Sequence, residues 1–268
     1  MIKNEFYTLN NGVNIPKIGF GTWQITNKKV AKEAVKYALN AGFTHIDTAA
    51  AYGNESYIGE ALKETKTDRK SIFITSKLRA EKKGYDVAVE EFNKTIKNLG
   101  TEYLDLYLIH APSPWPEMRD RKIDHTEENI ASFKAMIDLY KAGKIKAIGV
   151  SNFNEKDIDA LISATGFIPQ VNQIFLSPFN PQKDLKNYCE KKGILVEAYS
   201  PLETGKIFKK EKMEELKTKY NKTIAQISLR WCLDYNTLPL PKSTHKEYIE
   251  NDIDLDFTLE KDDFESFL

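Results

Sequence analysis

The stretch "AGFTHIDTAAAYGNE", residues 41–55, leaves a helix at Gly42 and runs through a short apolar strand, His45–Asp47. It then places an aspartate, a tyrosine and a glutamate at and just beyond the strand's end. The same grammar repeats along the chain. β-rich runs fall at Ile18–Gly21, His45–Asp47, Ile72–Lys77, Leu104–His110, Ile145–Ser151, Gln170–Gln173, Leu195–Tyr199 and Thr237–Leu240, with helical stretches between them. Eight βα units predict a closed parallel (β/α)8 barrel of the TIM type. "YTLNNGVNIPKIGF" ahead of them reads as an N-terminal β-hairpin turning at Asn11-Gly12.

The helical stretches carry the period of surface helices. Ile130, Phe133, Ile137 and Tyr140 recur at i, i+3, i+7 and i+10 before a stop at Gly143; Val30, Ala34 and Ala38 line up before Gly42. Neither a linker nor a fixed-period repeat divides the 268 residues, a length that one barrel accommodates, so a single domain over 1–268 is expected. The longest interruption, "APSPWPEMRDRKIDHTEEN" after the fourth strand, opens with three prolines that preclude regular helix. Long βα loops tend to be functional, so this one is expected to overhang the barrel mouth, with Trp115 at its tip.

Composition narrows the function classes. Lys plus Arg equals Asp plus Glu at 39 each, so no net field draws nucleic acid or anionic membrane; a neutral or small partner and a monomer are expected. Two cysteines, Cys189 and Cys232, are too few for a disulfide framework and read as reduced thiols of a cytoplasmic protein. The start, "MIKNEFYTLNNG", lacks a signal-peptide core, and no run approaches the roughly 18 apolar residues of a membrane span. His45, His110, His125 and His245 lack zinc-site spacing, so no metal is expected.

In a parallel barrel the C-terminal strand ends share one face, which brings Asp47, Lys77 and His110 together with Tyr52 just beyond its strand. That convergence explains the ionisable groups after His45–Asp47: the rim is the part open to a substrate. Free tyrosine, with a pKa of about 10, donates protons poorly at neutral pH, and a nearby Lys77 cation is expected to lower it. Asp47 would hold Lys77 charged, and His110 could hydrogen-bond a carbonyl oxygen. Singly, each has a duller explanation: a structural ion pair, a packed aromatic, a satisfied histidine. Their joint placement at consecutive strand ends favours chemistry.

"IGFGTWQ", "AGFTHIDTAAAYGNE", "IFITSKL", "YLDLYLIH", "GVSNF", "PQVNQ", "YSPL" and "LPKS", in this order, make the chain resemble the aldo-keto reductases over nearly its whole length. The resemblance implies a barrel that binds NADP(H), with NAD(H) as a weaker alternative, and moves a hydride to an aldehyde or ketone carbonyl. Small dicarbonyls and simple aldehydes are the expected substrates. It assigns catalysis to Asp47, Tyr52, Lys77 and His110, with Tyr52 as proton donor. Cofactor contacts fall on Gly21, Thr22, Asp47, Ser151, Asn152, Gln173, Tyr199, Ser200, Leu202, Lys242, Ser243 and Asn251, and substrate contacts on Trp23, His110 and Trp115. A non-catalytic nicotinamide-binding sensor or regulatory subunit on the same barrel is the alternative, which the intact catalytic set disfavours.

Three departures accompany the resemblance. Ala111 follows His110 where relatives commonly carry tryptophan, so an aromatic wall is expected to be missing. Tyr248 stands near the place of a family arginine, and tyrosine cannot form a bidentate fork on phosphate. The chain stops at "DFTLEKDDFESFL", before the family's usual tail loop. The mouth is therefore expected to be open, or covered by a neighbouring subunit or the Trp115 loop.

Overall fold

Two backbone hydrogen bonds close the ring that the strand count predicts: Gly19 N–H donates to Pro239 O at 3.1 Å and Gly21 N–H to Pro241 O at 2.8 Å. They join the first and last barrel strands. The residue at 19 must be small, since a Cβ there would lie 2.6 Å from both His45 Nδ1 and Leu240 Cδ2.

The computed structural model describes residues 1–268. The hairpin is β1 (Phe6–Thr8) paired antiparallel with β2 (Asn14–Pro16), and the barrel strands follow in chain order as parallel neighbours. They are β3 (Phe20–Gly21), β4 (His45–Asp47), β5 (Phe73–Leu78), β6 (Leu104–Ile109), β7 (Ile145–Ser151), β8 (Val171–Phe175), β9 (Leu195–Tyr199) and β10 (Leu238–Leu240). The principal intervening helices are α1 (Lys28–Ala41), α2 (Glu55–Glu64), α3 (Tyr85–Leu99), α4 (Thr126–Lys141), α5 (Glu155–Thr165), α6 (Lys183–Lys191), α7 (Glu211–Tyr220) and α8 (Ile224–Asp234). Short α9 (Lys246–Asp252) and α10 (Lys261–Glu265) complete the chain. None of these helices is long and apolar enough to cross a membrane.

Period-two alternation explains what lies inside the ring. Outward residues such as Ile46, Ile74, Tyr107, Ile148 and Ala198 join the core beneath the helices. Inward Phe73, Leu106, Leu108, Ala147, Val171, Leu238 and Leu240 pack with Leu9 and Ile15 of the hairpin. The hairpin thus plugs the N-terminal end, and the C-terminal end is left to polar residues. In its turn only Gly12 takes positive φ, 84°, so Gly12 rather than the Asn11-Gly12 pair supplies the left-handed residue.

The helix faces follow the expected period with one correction. α4 buries Ile130, Phe133 and Ile137. In α1 the buried face is Ala31, Ala34, Val35 and Ala38, whereas Val30 is exposed. Val30 occupies the first turn, beside the cap that Asn27 makes to its amide, and faces away from the barrel. Gly42 ends α1 in the left-handed conformation at φ 106°.

Candidate active site

Alternation along the strands carries straight into the site. Asp47, Lys77, Ser151, Gln173 and Tyr199 continue the inward rows of β4, β5, β7, β8 and β9, and His110 follows Leu106 and Leu108 just past β6. The cavity at this end measures about 1150 Å³. Gly21, Thr22, Trp23, Asp47, Tyr52, His110, Trp115, Ser151, Asn152, Gln173, Tyr199, Ser200, Leu202 and Lys242 all line it.

Lys77 lies behind the lining, fully buried. Its Nζ is 2.7 and 2.9 Å from the two carboxylate oxygens of Asp47, 2.9 Å from Thr48 O and 3.5 Å from the Tyr52 hydroxyl. Because an ammonium can only donate, the phenol oxygen accepts here and keeps its own proton for another acceptor. Burial opposes the charge on Lys77, but Asp47, Tyr52 and Glu197 together outweigh it and raise its pKa. The Tyr52 pKa is also raised, contrary to the expectation from sequence: desolvation of the hydroxyl outweighs the downward pull of Lys77. Tyr52 is therefore a protonated acid at neutral pH, and the neighbouring cation favours the phenolate left once that proton is given up.

His110 meets Tyr52 edge to face, with ring centroids 5.6 Å apart. Burial, and then the Lys77 charge, push its pKa well below the usual range, so the ring is neutral. Its Nδ1 is buried without a partner, leaving Nε2 as the nitrogen that can serve an oxygen in the cavity. Trp115, in a 3-10 turn (Trp115–Glu117) of the proline-rich loop, packs edge-on to His110 at 5.1 Å. Ala111 is fully buried. The aromatic wall expected to be missing at that position is thus provided by Trp115, four residues further along.

The polar groups of β7 and β8 suit a primary carboxamide. Gln173 Nε2 donates to Asp47 Oδ2 at 2.9 Å and to Glu197 Oε2 at 2.7 Å, which leaves its Oε1 to accept. Asn152 is satisfied within the chain: Nδ2 donates to His110 O and Ser151 Oγ, while Oδ1 accepts from Tyr199 OH at 2.8 Å. Ser151 accepts from Asn152 and keeps its own proton free. One free donor and one free acceptor therefore face the cavity, matching the carbonyl and NH2 of a nicotinamide carboxamide. The Tyr199 ring, beside Phe175 at 6.0 Å and 29°, offers a flat aromatic surface at the same place.

The lining runs on through Ser200–Lys206, where Ser200, Glu203 and Thr204 take positive φ and turn the chain across the opening. Glu203 is held there by Ser177 Oγ at 2.7 Å. Lys242 is the last lining residue. Ser243 is buried beside it, its Oγ accepting from His245 N–H at 3.1 Å, and Asn251 lies in α9; neither is brought to the cavity wall. Tyr248 is exposed and tilted against His245, with centroids 5.2 Å apart. No group of three or more His, Cys, Asp or Glu is placed to hold a metal ion.

Residues 17–267 match the Aldo/keto reductase family. The chain belongs to that family. It is 39% identical over 258 residues to the glyoxal reductase of Bacillus subtilis (strain 168), covering 96% of this chain and 89% of that protein. The crystal structure of an aldo/keto reductase from Brucella melitensis superposes with a TM-score of 0.90 at 38% identity, covering 98% of each chain. A Bombyx mori aldo-keto reductase in complex with NADP superposes at 0.87 with 34% identity, covering 98% of this chain and 91% of that one. This aldo/keto reductase is accordingly an oxidoreductase acting on carbonyls, with a nicotinamide cofactor.

Sequence reasoning missed Glu197. It lies in the interior of β9, not at a strand end, and is fully buried directly against Gln173. The signal was present in the alternation Leu195, Glu197, Tyr199, which puts a carboxyl on the inward face one layer below the rim.

Proposed function

We propose that this aldo/keto reductase reduces aldehydes and ketones with NADPH, with small dicarbonyls and simple aldehydes as its main substrates and NADH as a weaker cofactor. The observation that carries the reading is the Tyr52 hydroxyl, protonated, accepting from Lys77, which is ion-paired with Asp47, and lining one cavity with a neutral His110. The bound cofactor supplies a hydride to the carbonyl carbon. His110 orients the carbonyl oxygen through its ring N–H, and Tyr52 delivers its proton to that oxygen as charge develops there. Lys77 stabilises the phenolate that remains, and Asp47 holds Lys77 charged and in place.

Ser151 and Gln173 would hold the carboxamide, with Asn152 fixing Ser151, and the Tyr199 ring would offer its face to the nicotinamide. Gly21, Thr22, Ser200 and Leu202 line the cofactor's path; Lys242 on the wall would meet its adenosine end, with Ser243 and Asn251 set back behind it. Trp23 and Trp115 enclose the substrate. Similarity to a glyoxal reductase supports small dicarbonyls, and the Bombyx mori complex supports NADP. Balanced charge and two buried free thiols support a cytoplasmic monomer of one domain acting on a free small molecule, without nucleic acid or membrane. The test is NADPH absorbance followed against glyoxal, simple aldehydes and ketones; no consumption above the background with any of them overturns the proposal.

A further inference from the structure

Glu197 is the one buried carboxyl beside the catalytic groups to which the mechanism above gives no task. Its side chain points into the barrel from β9 and is wholly enclosed. Oε2 accepts from Gln173 Nε2 at 2.7 Å, and Oε1 has no partner. The same Gln173 nitrogen donates to Asp47 Oδ2 at 2.9 Å, so one amide spans two carboxyls, one from β4 and one from β9.

We infer that Glu197 is a positioning residue of the active site: it fixes the Gln173 amide so that Oε1 faces the cavity, and a charge on its carboxyl weakens carbonyl reduction.

Geometry gives the first half. An amide NH2 has two protons, and both are taken here, one by Asp47 and one by Glu197. Rotation of the Gln173 amide would set its oxygen against the Asp47 carboxylate, so the two acids lock one orientation. Asp47 alone engages one proton; Glu197 engages the other and removes the remaining freedom.

Charge gives the second half. A carboxylate enclosed with a single donor is poorly solvated and lies close to the Asp47 carboxylate, so the neutral acid is favoured. Burial first, and then the Asp47 charge, raise the Glu197 pKa to about 8; the Gln173 bond and the Lys77 cation pull it partly back. The charged groups facing it are Asp47 from β4 and Lys77 from β5, while β8 presents the Gln173 amide and β10 apolar Leu238 and Leu240. With Glu197 neutral, Lys77 and Asp47 balance. With Glu197 ionised, the enclosed group carries a net negative charge, which opposes the negative charge that Tyr52 must take on when it donates its proton.

The inference rests on the NADPH reading for its kinetic arm and not for its spectroscopic one. In the full chain without cofactor, labelled with 13C at glutamate Cδ, one carboxyl resonance should titrate near pH 8 and be absent in Glu197→Gln. Glutamate labelling separates it from the buried Asp252. In the kinetic arm, wild-type kcat for glyoxal reduction should fall from about pH 8 upward, and Glu197→Gln should lack that limb, because glutamine still accepts from Gln173 but cannot ionise. Glu197→Leu, which cannot accept, should weaken NADPH binding measured by fluorescence titration about tenfold more than Glu197→Gln does.

No glutamate resonance titrating above pH 6 in the wild type overturns the inference, even if neither variant folds. So does an unchanged alkaline limb in Glu197→Gln, or equal NADPH affinity in the two variants. Absence of all reductase activity would instead sink the NADPH reading and leave the resonance to decide Glu197.

Discussion

The hydroxyl of Tyr52 accepts from Nζ of Lys77 at 3.5 Å, the longest contact that this ammonium makes. Lys77 is thus bound primarily to Asp47 and only loosely to the phenol, which suits a group whose oxygen becomes anionic during turnover and tightens the bond as it does. Tyr52→Phe removes the proton donor and leaves the Asp47–Lys77 pair intact. The kcat for glyoxal should drop by about 10²–10⁴-fold, with NADPH affinity changing by less than about twofold. Near-normal single-turnover rates would show that another group supplies the proton.

Trp115 stands edge-on to His110, centroids 5.1 Å apart at 88°, and is 42% exposed. Such a pair is worth about 0.5–1.5 kcal/mol beyond area burial, enough to hold the indole as a wall without sealing the mouth. Trp115→Ala should raise KM about three- to tenfold for aromatic aldehydes and far less for glyoxal, with kcat little altered, since the indole exchanges no proton. A Michaelis series from glyoxal to benzaldehyde checks this; a uniform effect across the series would mean that the loop acts on His110 and not on the substrate.

The parts of the molecule legible in the sequence were those governed by short-range periodicity. All eight barrel strands lie within two residues of the runs read from composition, because a sheet covered on both faces demands near-continuous apolar stretches such as Leu104–Ile109. The strand-end rule likewise brought Asp47 and His110 to one cavity, with Lys77 directly behind its wall. What the sequence could not disclose were the outcomes of competing energies. Burial outweighs Lys77 at Tyr52, a balance set by how tightly the hydroxyl is enclosed. The Asn152 amide is consumed by His110 O, Ser151 and Tyr199, a choice among partners fixed only when the C-terminal ends of β6, β7 and β9 converge on one rim. Trp115 takes the place left by Ala111 through a loop whose path no local pattern prescribes.

Tyr248 is exposed against His245, leaving Lys242 as the only cation of this segment on the cavity wall. An arginine at 248 could supply charge-assisted hydrogen bonds worth about 1.5–3 kcal/mol to a 2′-phosphate, roughly 10- to 150-fold in affinity. Tyr248→Arg should therefore raise the ratio of kcat/KM for NADPH over NADH by up to that factor, and most of the change should lie in the KM for NADPH. Because the side chain is largely exposed, the substitution should leave the unfolding midpoint nearly unmoved. An unchanged cofactor ratio would show that this face of α9 does not reach the phosphate.

Asp252, at the end of α9, is buried, and its carboxyl makes no hydrogen bond or ion pair within the chain. Burial raises its pKa from 3.8 to about 7. The unfolded chain releases this proton near pH 4 and the folded one near pH 7, so across that window the folded state binds more protons and its stability falls as pH rises. The slope from a single such group reaches at most about 1.4 kcal/mol per pH unit. Glu197 extends the same trend to about pH 8, whereas neutral buried His45, its pKa pushed down to about 3 by burial and by Lys77, acts oppositely below pH 6.5. Asp252→Asn keeps the shape and cannot ionise, so relative to wild type it should gain stability steadily between about pH 4 and pH 7 and hold that gain above it. Urea unfolding of both proteins at pH 5, 6, 7 and 8 measures the difference. A gap that stays constant with pH would mean that Asp252 ionises alike in the folded and unfolded chains, and the burial of an unpaired carboxyl would have to be relieved by water reaching α9.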